Sequence, residues 1–381
     1  MTRSVEDLAS PYLRGLIPYS PGKPIEEVER ELGISDSVKL ASNENPLGPS
    51  PKALVAIREA LPGIHRYPDG SGYRLSRALA THWGVSPDQV ILGNGSNELL
   101  ELAGRGFLAP GDEAVYAEQA FVVYDMVAQV TGAAKVTVPL KDFTHDLDAL
   151  GRAISPRTKM VFVANPNNPT GTAVRPRALL AFLEAVPPEV VVVLDEAYYE
   201  YLPREVQPDA LTFVRKGRLV LVLRTFSKIY GLAGLRIGYG IGPAPLIALL
   251  NRVREPFNTN ALAQVAATAA LADHEHVART RRLTEEGRAF LADQFRALGL
   301  GVVPSVANFL LVDVGRPGPV VTSALLRRGV IVRPMAGYGF PTHLRITVGT
   351  AAENARCVAA LASALKEGGE SRGPSQERNP A

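Results

Sequence analysis

Short apolar runs rich in β-branched residues recur along the first two thirds of the chain. Most are continuous rather than alternating with polar residues, and strands of that kind are buried on both faces, as in a parallel sheet covered by helices. Helical patterns between them, such as residues 98–107 and 177–185, fit the crossover helices that parallel strands require. The strand order stays open. The predicted strands are residues 90–92, 114–116, 136–138, 160–163, 190–194, 219–223 and 237–241.

The pattern changes after residue 260. A long alanine-rich and charged stretch, residues 262–298, predicts helix. Short apolar runs at residues 309–312, 330–332 and 344–346 predict strands. Strands beside helices in this arrangement are typical of a separate α+β domain.

These patterns predict a two-domain α/β protein, because a chain of 381 residues is too long for one compact core. We expect a large domain with a mostly parallel sheet covered by helices at residues 36–260, and a smaller α+β domain at residues 261–368. Residues 1–35 are expected to form an arm that packs on another surface. Residues 369–381 are rich in Gly, Pro and polar residues and are expected to be disordered.

Composition and charge argue against several classes of protein. Hydrophobic residues make up 46% of the chain and charged residues 21%, and the net charge of +3 is scattered, so nothing indicates a nucleic-acid or membrane partner. Because the N-terminus lacks a secretory signal and no stretch reaches the ~18–20 apolar residues of a membrane helix, we expect a soluble, cytoplasmic protein. The single cysteine, Cys357, excludes an intramolecular disulfide. His274 and His276 would lie on different faces of a helix, so we predict no metal site.

Glycine-rich or polar segments follow the predicted strands, at the edge where an open α/β sheet binds its ligands. The first, G-N-G-S-N-E at residues 93–98, has Glu98 at the third glycine position of a dinucleotide fingerprint, which argues against nucleotide binding of that kind. Its backbone N–H groups at a helix N-terminus suit a phosphate. An ordinary strand–helix turn capped by Ser96 accounts for the segment equally well.

Two further segments follow strands. The residues N-P-N-N-P-T-G at 165–171 form a rigid turn, and such a turn by itself needs no ligand, although it could hold an Asn amide toward one. Asp195, the first residue of D-E-A-Y, ends a buried strand, where a carboxylate is costly unless a cation meets it. A protonated pyridine nitrogen would serve, and the phenol of Tyr198 could hydrogen-bond a neighbouring oxygen. A simple helix cap at Asp195 is the alternative.

The segment T-F-S-K at residues 225–228 follows the next strand, and Arg236 comes shortly after it. A lysine at the mouth of a buried sheet can have a lowered pKa and act as a nucleophile. The hydroxyls of Thr225 and Ser227 and the guanidinium of Arg236 suit a phosphate. A solvent-facing Ser-Lys pair is the common alternative, but four successive strand ends with complementary groups favour a site that includes Lys228.

In motif, order and spacing these segments, with S-K-I-Y-G-L-A-G-L-R-I-G-Y at residues 227–239, resemble the fold-type-I aminotransferases of class II, which depend on pyridoxal 5′-phosphate (PLP). The resemblance covers residues 16–368. Within that group, the segments at residues 18–24, 40–48, 66–69 and 344–349 resemble the histidinol-phosphate aminotransferases. The resemblance implies transamination of L-histidinol phosphate with 2-oxoglutarate, giving imidazole-acetol phosphate and glutamate in histidine biosynthesis. It also implies a homodimer with shared active sites.

The resemblance implies roles for individual residues. Lys228 would bind PLP covalently and move a proton between substrate and cofactor, while Asp195 would pair with the pyridinium nitrogen. Tyr198 and Asn168 would hydrogen-bond the phenolic oxygen of the ring, and Phe121 would stack on the ring. The cofactor phosphate would be bound by Gly95, Ser96, Asn97, Thr225, Ser227 and Arg236, with Tyr67 reaching it from the other subunit.

The resemblance also implies a substrate pocket. Arg345 would clamp the substrate carboxylate or phosphate with Arg333 beside it, although a plain surface position is the alternative for Arg333. Tyr19 of the arm would close over the substrate, and Asn43 would contribute to the same pocket. Phe121 stands where many members of the group have tyrosine. Stacking needs only an aromatic face, but loss of the phenol leaves room for a broader aromatic preference.

Three other functions stay open on the sequence. They are an aminotransferase of phenylalanine or tyrosine, a PLP-dependent decarboxylase of a phosphorylated amino acid, and a non-catalytic PLP-binding module of a transcription regulator. The last would need a DNA-binding domain, and the segment before Asp36 is too short to hold one.

Overall fold

The computed structural model describes residues 5–19 and 22–367, so the prediction for the tail, residues 369–381, lies outside the described residues. The strands are β1 (Val38–Lys39), β2 (Val90–Gly93), β3 (Glu113–Ala117), β4 (Ala134–Val138), β5 (Thr158–Ala164), β6 (Val191–Asp195), β7 (Val220–Thr225), β8 (Gly238–Ile241), β9 (Gly301–Val302), β10 (Phe309–Asp313), β11 (Val330–Ile331), β12 (Arg333–Pro334) and β13 (His343–Thr347). The α-helices are α1 (Val5–Leu8), α2 (Ile25–Leu32), α3 (Pro51–Ala60), α4 (Tyr73–Trp83), α5 (Ser96–Phe107), α6 (Val123–Thr131), α7 (Leu147–Arg152), α8 (Pro176–Ala185), α9 (Leu211–Arg215), α10 (Ala244–Val253), α11 (Ala261–Leu271), α12 (His274–Ala297), α13 (Gly318–Leu326) and α14 (Ala351–Glu367).

The largest sheet contains the seven strands that the apolar runs predict. Its order is β2-β8-β7-β6-β5-β3-β4. The neighbours from β7 to β4 pair in parallel, whereas β8 runs antiparallel to both β2 and β7. The predicted mostly parallel sheet is therefore confirmed, and its order, with β8 inserted beside β2, is what the sequence left open.

The strands of this sheet are buried on both faces because successive side chains point to opposite sides. Val193 and Leu223 pack on the face that carries α5, α6 and α10. Leu194 and Val222 pack on the opposite face, against α4, α8 and α11. The alternation continues to the strand ends, so neighbouring polar residues there belong to different faces of the sheet.

A smaller antiparallel sheet, of order β12-β13-β10-β9, forms the centre of the C-terminal part. Leu310 and Ile346 are buried there among side chains of α12, α13 and α14. Strand β1 pairs in parallel with β11. The chain leaving β1, residues 40–48, is therefore held where the small sheet approaches the edge of the large one.

Two elements of the C-terminal part have finer detail than the sequence pattern predicts. The stretch at residues 262–298 is two helices, α11 and α12, because Asp273 interrupts it. The Asp273 carboxylate caps α12 by accepting from the backbone N–H of His276, and it also accepts a hydrogen bond from the hydroxyl of Ser50. The run at residues 330–332 forms β11 over its first two residues, and the following β12 belongs to a different sheet.

Candidate active site

Three neighbouring strands of the large sheet end at one edge, β5 at Ala164, β6 at Asp195 and β7 at Thr225. A cavity of about 950 Å³ opens beyond this edge. Of the predicted residues, Gly95 adjoins the cavity at Ser96, whereas Tyr67 and Arg333 are not among its lining residues. The predicted residues that line it are Tyr19, Asn43, Ser96, Asn97, Phe121, Asn168, Asp195, Tyr198, Thr225, Ser227, Lys228, Arg236 and Arg345.

Lys228 lies three residues beyond the end of β7, and its ammonium nitrogen reaches into the cavity. The Nζ atom donates a hydrogen bond to the backbone carbonyl of Ser42 at 3.0 Å. Burial, followed by the positive charge of Arg345, lowers the pKa of Lys228 from its usual 10.5 to about 7. Near neutral pH, Lys228 is therefore a neutral amine, the nucleophilic form, in a substantial fraction of the molecules.

Asp195 is buried at the end of β6, with both carboxylate oxygens hydrogen-bonded. Oδ2 accepts from the hydroxyl of Tyr124 at 2.8 Å, and Oδ1 accepts from the backbone N–H of Ala197 at 3.2 Å. Burial raises the pKa of Asp195, while these two hydrogen bonds and the charge of Lys228 oppose the rise. The predicted helix cap is not what holds Asp195, since the segment after it turns through residues 196–198 before a short 3₁₀ turn (Tyr199–Tyr201).

The sequence analysis missed Tyr124. Its ring is fully buried, stacks on Phe162 with ring centres 4.8 Å apart, and meets the ring of Phe121 edge-on at 6.0 Å. Tyr124 follows Phe121 by three positions at the start of α6. Helical spacing at i, i+3 was the available signal, because it places the two aromatic rings on one face.

Glycine and arginine form a close-fitting turn at the start of α5. Gly95 has φ +76° and precedes the helix, and a Cβ there would lie 2.3 Å from Nη2 of Arg236. Arg236 itself has φ +55°, and its Nη1 donates to the hydroxyl of Ser227 at 3.3 Å. The hydroxyl of Thr225 accepts from the backbone N–H of Ser227 at 3.0 Å. Free N–H groups at a helix N-terminus, two hydroxyls and a guanidinium together make an anion site.

Asn97 differs from the rest of this group. Although it lines the cavity, its amide donates to Glu101 on the next turn of α5 at 3.0 Å. Its side chain is therefore already engaged along the helix.

Tyr198 and Asn43 form a hydrogen-bonded pair across the cavity wall. The Asn43 amide donates to the Tyr198 hydroxyl at 2.9 Å, and the Thr347 hydroxyl donates to Oδ1 of Asn43 at 3.0 Å. Because Tyr198 accepts from Asn43, its own proton remains to be donated toward the cavity. Burial raises the pKa of Tyr198 to about 12, so the phenol is protonated at neutral pH. Asn43 thus links β6 of the large sheet with β13 of the small one.

Arg345 and Asn168 form the wall opposite the sheet. Nη1 of Arg345 donates to Oδ1 of Asn168 at 2.5 Å, and Nη2 donates to the carbonyl of Ala41 at 2.7 Å. The guanidinium carbon lies 5.4 Å from the ring centre of Phe309, and Nε has no hydrogen-bond partner among the described residues. Arg345 is therefore a buried, pre-oriented cation.

Tyr19, Arg333 and Tyr67 lie further out. The guanidinium of Arg333 stands 5.2 Å from the ring centre of Tyr19, which lines the cavity mouth. Tyr67 is 83% exposed and stacks on Phe257 with ring centres 4.8 Å apart. Within one chain, Tyr67 is therefore outside the cavity.

Within the described residues, 5–19 and 22–367, no group of three or more His, Cys, Asp or Glu side chains could hold a metal ion. Over the same residues, no helix combines the length and the apolar character needed to cross a membrane.

Comparison with known proteins gives consistent similarities. Residues 35–361 match the family described as aminotransferase class I and II. The chain is 55% identical over 360 residues to a histidinol-phosphate aminotransferase of Anaeromyxobacter sp. (strain Fw109-5), covering 94% of this chain and 99% of that protein. It is 52% identical to histidinol-phosphate aminotransferase 1 of Nitrosococcus oceani, covering 94% and 97%.

The fold is similar to a solved structure. That structure is the histidinol-phosphate aminotransferase from Sinorhizobium meliloti in complex with pyridoxal-5′-phosphate. The two chains superpose with a TM-score of 0.88 at 30% sequence identity, over 94% of this chain and 98% of the other.

Proposed function

The chain belongs to the aminotransferase class I and II family, and we propose that it transfers the amino group of L-histidinol phosphate to 2-oxoglutarate. The products are imidazole-acetol phosphate and glutamate, a step of histidine biosynthesis in the cytoplasm. Relatives named for this reaction share more than half of the residues of this chain over nearly its whole length. The observation that carries the proposal is the meeting of Lys228, Asp195 and Arg345 in one cavity.

The cavity fits PLP. The turn at Gly95 and Arg236 leaves no room for a Cβ and directs N–H, hydroxyl and guanidinium donors to one point, which suits the cofactor phosphate. Asp195 suits the pyridinium nitrogen, because a buried carboxylate gains most from a cationic partner. Phe121 offers an aromatic face to the ring. When bound, PLP supplies an electron sink for the charge that develops at the substrate Cα.

Lys228 has two tasks in this proposal. Its neutral amine would hold the cofactor, and the same side chain would move a proton at the substrate Cα. Its pKa of about 7 suits both tasks, because a base with a pKa near the working pH both accepts and returns a proton. Tyr198 and Asn168 would hydrogen-bond the phenolic oxygen of the cofactor. Asn43 donates to the Tyr198 hydroxyl oxygen, so the hydroxyl proton of Tyr198 stays available for donation to the cofactor.

Substrate anions are bound by Arg345, with Arg333 and Tyr19 at the cavity mouth. A fork of N–H donors binds a carboxylate or a phosphate with similar geometry. One guanidinium can therefore serve glutamate in one half-reaction and histidinol phosphate in the other. Arg345 is held for this by Asn168 and the Ala41 carbonyl, so little side-chain entropy is lost on binding.

A homodimer completes the proposed site. Tyr67 is exposed on the surface of its own chain. We propose that it reaches the cofactor phosphate in the cavity of a second copy. Substitution Tyr67→Phe would then weaken PLP binding, whereas a chain that works as a monomer would be insensitive to it.

The direct test is the absorbance spectrum of the purified protein before and after addition of glutamate, and then of histidinol phosphate. We expect a visible band that both donors bleach and that Lys228→Ala abolishes. Bleaching by glutamate and phenylalanine or tyrosine, but not by histidinol phosphate, would support the aromatic aminotransferase instead. Release of carbon dioxide would indicate a decarboxylase. Absence of a band in the presence of added PLP would refute the cofactor assignment.

A further inference from the structure

A buried ion pair lies directly behind the candidate site, on the opposite face of the large sheet. Nε and Nη2 of Arg224 donate to Oε2 of Glu196 at 2.9 and 2.6 Å. Glu196 follows Asp195 at the end of β6, and Arg224 precedes Thr225 at the end of β7. Neither side chain lines the cavity. The pair therefore joins the ends of β6 and β7, where the neighbouring residues Asp195 and Thr225 line the cavity.

The Arg224 side chain is confined on all sides. Its guanidinium carbon lies 3.7 Å from the ring centres of both Trp83 and Tyr199, two rings that stand nearly perpendicular to each other at 78°, so the cation is packed in the corner between them. Trp83 is held in turn by a hydrogen bond from its indole N–H to the Tyr239 hydroxyl at 3.0 Å. Arg224 is 2% exposed and Glu196 is fully buried. Such a packed pair has one geometry.

Stability alone does not account for the pair. Removing two charges from water costs about as much as their attraction returns, and apolar side chains of similar volume are often as stable. Oε1 of Glu196 and Nη1 of Arg224 have no hydrogen-bond partner among the described residues, which adds to the cost. Burial raises the pKa of Glu196 even beside Arg224. What the pair offers instead is a fixed geometry.

The pair begins where the backbone ladder between the two strands ends. The parallel register of β6 and β7 finishes at Asp195 and Leu223, followed by a hydrogen bond from the Glu196 N–H to the Leu223 carbonyl at 2.8 Å. Beyond that bond the two chains diverge, one toward Tyr198 and the other toward Lys228. The side-chain pair thus joins the two segments just beyond the end of their backbone ladder.

We infer that Glu196 and Arg224 are positioning residues that fix the separation of Asp195 and Lys228. They touch neither cofactor nor substrate, and they act through the strand ends. A misplacement of about 1 Å in an active site can cost roughly 10²-fold in rate, so a loosened pair has a measurable effect. The inference rests on the proposed PLP-dependent function.

The test compares three variants of the full-length protein. The double variant Glu196→Leu with Arg224→Met removes both charges at similar volume. Arg224→Lys keeps the charge but loses the planar fork that packs against the two rings. The control is Glu113→Gln, which breaks the ion pair of Glu113 with Arg157 at the other end of the same sheet, where the N–O distance is 2.5 Å. Folding is followed by circular dichroism and thermal unfolding.

The readouts are the dissociation constant of PLP, obtained by titrating the apoprotein and following absorbance, and separate values of kcat and KM for glutamate. For the double variant and for Arg224→Lys, we expect a native spectrum, a dissociation constant raised about tenfold, and a kcat lowered about 10- to 100-fold with KM unchanged. Glu113→Gln should change thermal stability alone, because its pair lies far from the cavity.

Unchanged PLP affinity and kcat in the double variant would overturn the inference, even if thermal stability fell, since the pair would then be structural only. If the double variant fails to fold, Arg224→Lys decides by the same criteria. The wild-type protein separates this inference from the proposed function. PLP binding without turnover of histidinol phosphate would refute the substrate and leave this test intact, whereas no PLP binding at all would overturn both.

Discussion

The hydroxyl oxygen of Tyr124 lies 2.8 Å from Oδ2 of Asp195, inside the core face that carries α5 and α6. This contact opposes the effect of burial, which raises the pKa of the Asp195 carboxyl. The hydrogen bond from Tyr124 therefore favours the charged form of Asp195 that a pyridinium partner needs.

Tyr124→Phe removes this hydrogen bond and leaves the ring in place. Asp195 loses a donor that lowers its pKa, so its charged form becomes less favourable, and we expect PLP binding to weaken about tenfold, which corresponds to roughly 1.4 kcal/mol. The measurement is a PLP titration of the apoprotein. Tyr116→Phe is the matched control, because the Tyr116 hydroxyl bonds Asp125 at 3.0 Å instead. Equal effects of the two substitutions would contradict the assigned contact.

The pKa of Lys228 predicts a pH dependence for capture of the cofactor. Its neutral amine is the reactive form, and the lowered pKa means that the proton leaves near pH 7 rather than near 10.5. The rate at which apoprotein captures PLP should therefore rise with pH and level off above about 7. Stopped-flow absorbance between pH 5.5 and 9 measures this rate. A rate still rising tenfold per pH unit at the upper end would show that Lys228 is not perturbed.

Arg345→Gln should move this midpoint to higher pH. The positive charge of Arg345 is the second cause of the lowered pKa of Lys228, after burial, so its removal lets the ammonium persist to higher pH. The same substitution should raise KM for both glutamate and histidinol phosphate by about 10- to 100-fold, because a charge-assisted bidentate contact is lost. An increase for only one of the two substrates would mean that Arg345 does not serve both half-reactions.

Gly95→Ala tests the fit of the phosphate turn. The new Cβ would lie 2.3 Å from Nη2 of Arg236, and the alanine would have to adopt the φ of +76° that Gly95 has. Because Arg236 must then move, we expect PLP affinity to fall about tenfold or more. Gly111→Ala is the matched control, since Gly111 also has positive φ (+99°) but open space around its Cβ position. Both variants should lose some thermal stability from backbone strain, and only Gly95→Ala should lose PLP affinity.

Local pattern was sufficient wherever neighbouring residues carry the signal. The seven apolar runs form the seven strands of the large sheet, because continuous β-branched segments have little alternative to burial on both faces. Lys228, Asp195 and Ser96 meet in one cavity because each lies at or within three residues of the end of a strand of that sheet, and these strands end at the same edge.

Local pattern failed where a distant residue decides. Alanine-rich sequence around residue 272 favours helix, but the helix is interrupted there, where the Asp273 carboxylate caps α12 and also accepts from Ser50, more than two hundred positions away. The sequence pattern predicts only a core aromatic residue at Tyr124. Its hydrogen bond to Asp195 depends on how the sheet and α6 pack together.

The sequence by itself determined the strands, the glycine turn and the chemical types at the strand ends, since these depend on residues adjacent in the chain. The tertiary structure decided which groups share a hydrogen bond. Asn43 reaches both Tyr198 and Thr347, and Arg345 reaches Asn168, across separations of more than 150 positions. Such contacts depend on how the small sheet docks against the edge of the large one, and that geometry is the sum of many weak packing contacts along the whole chain.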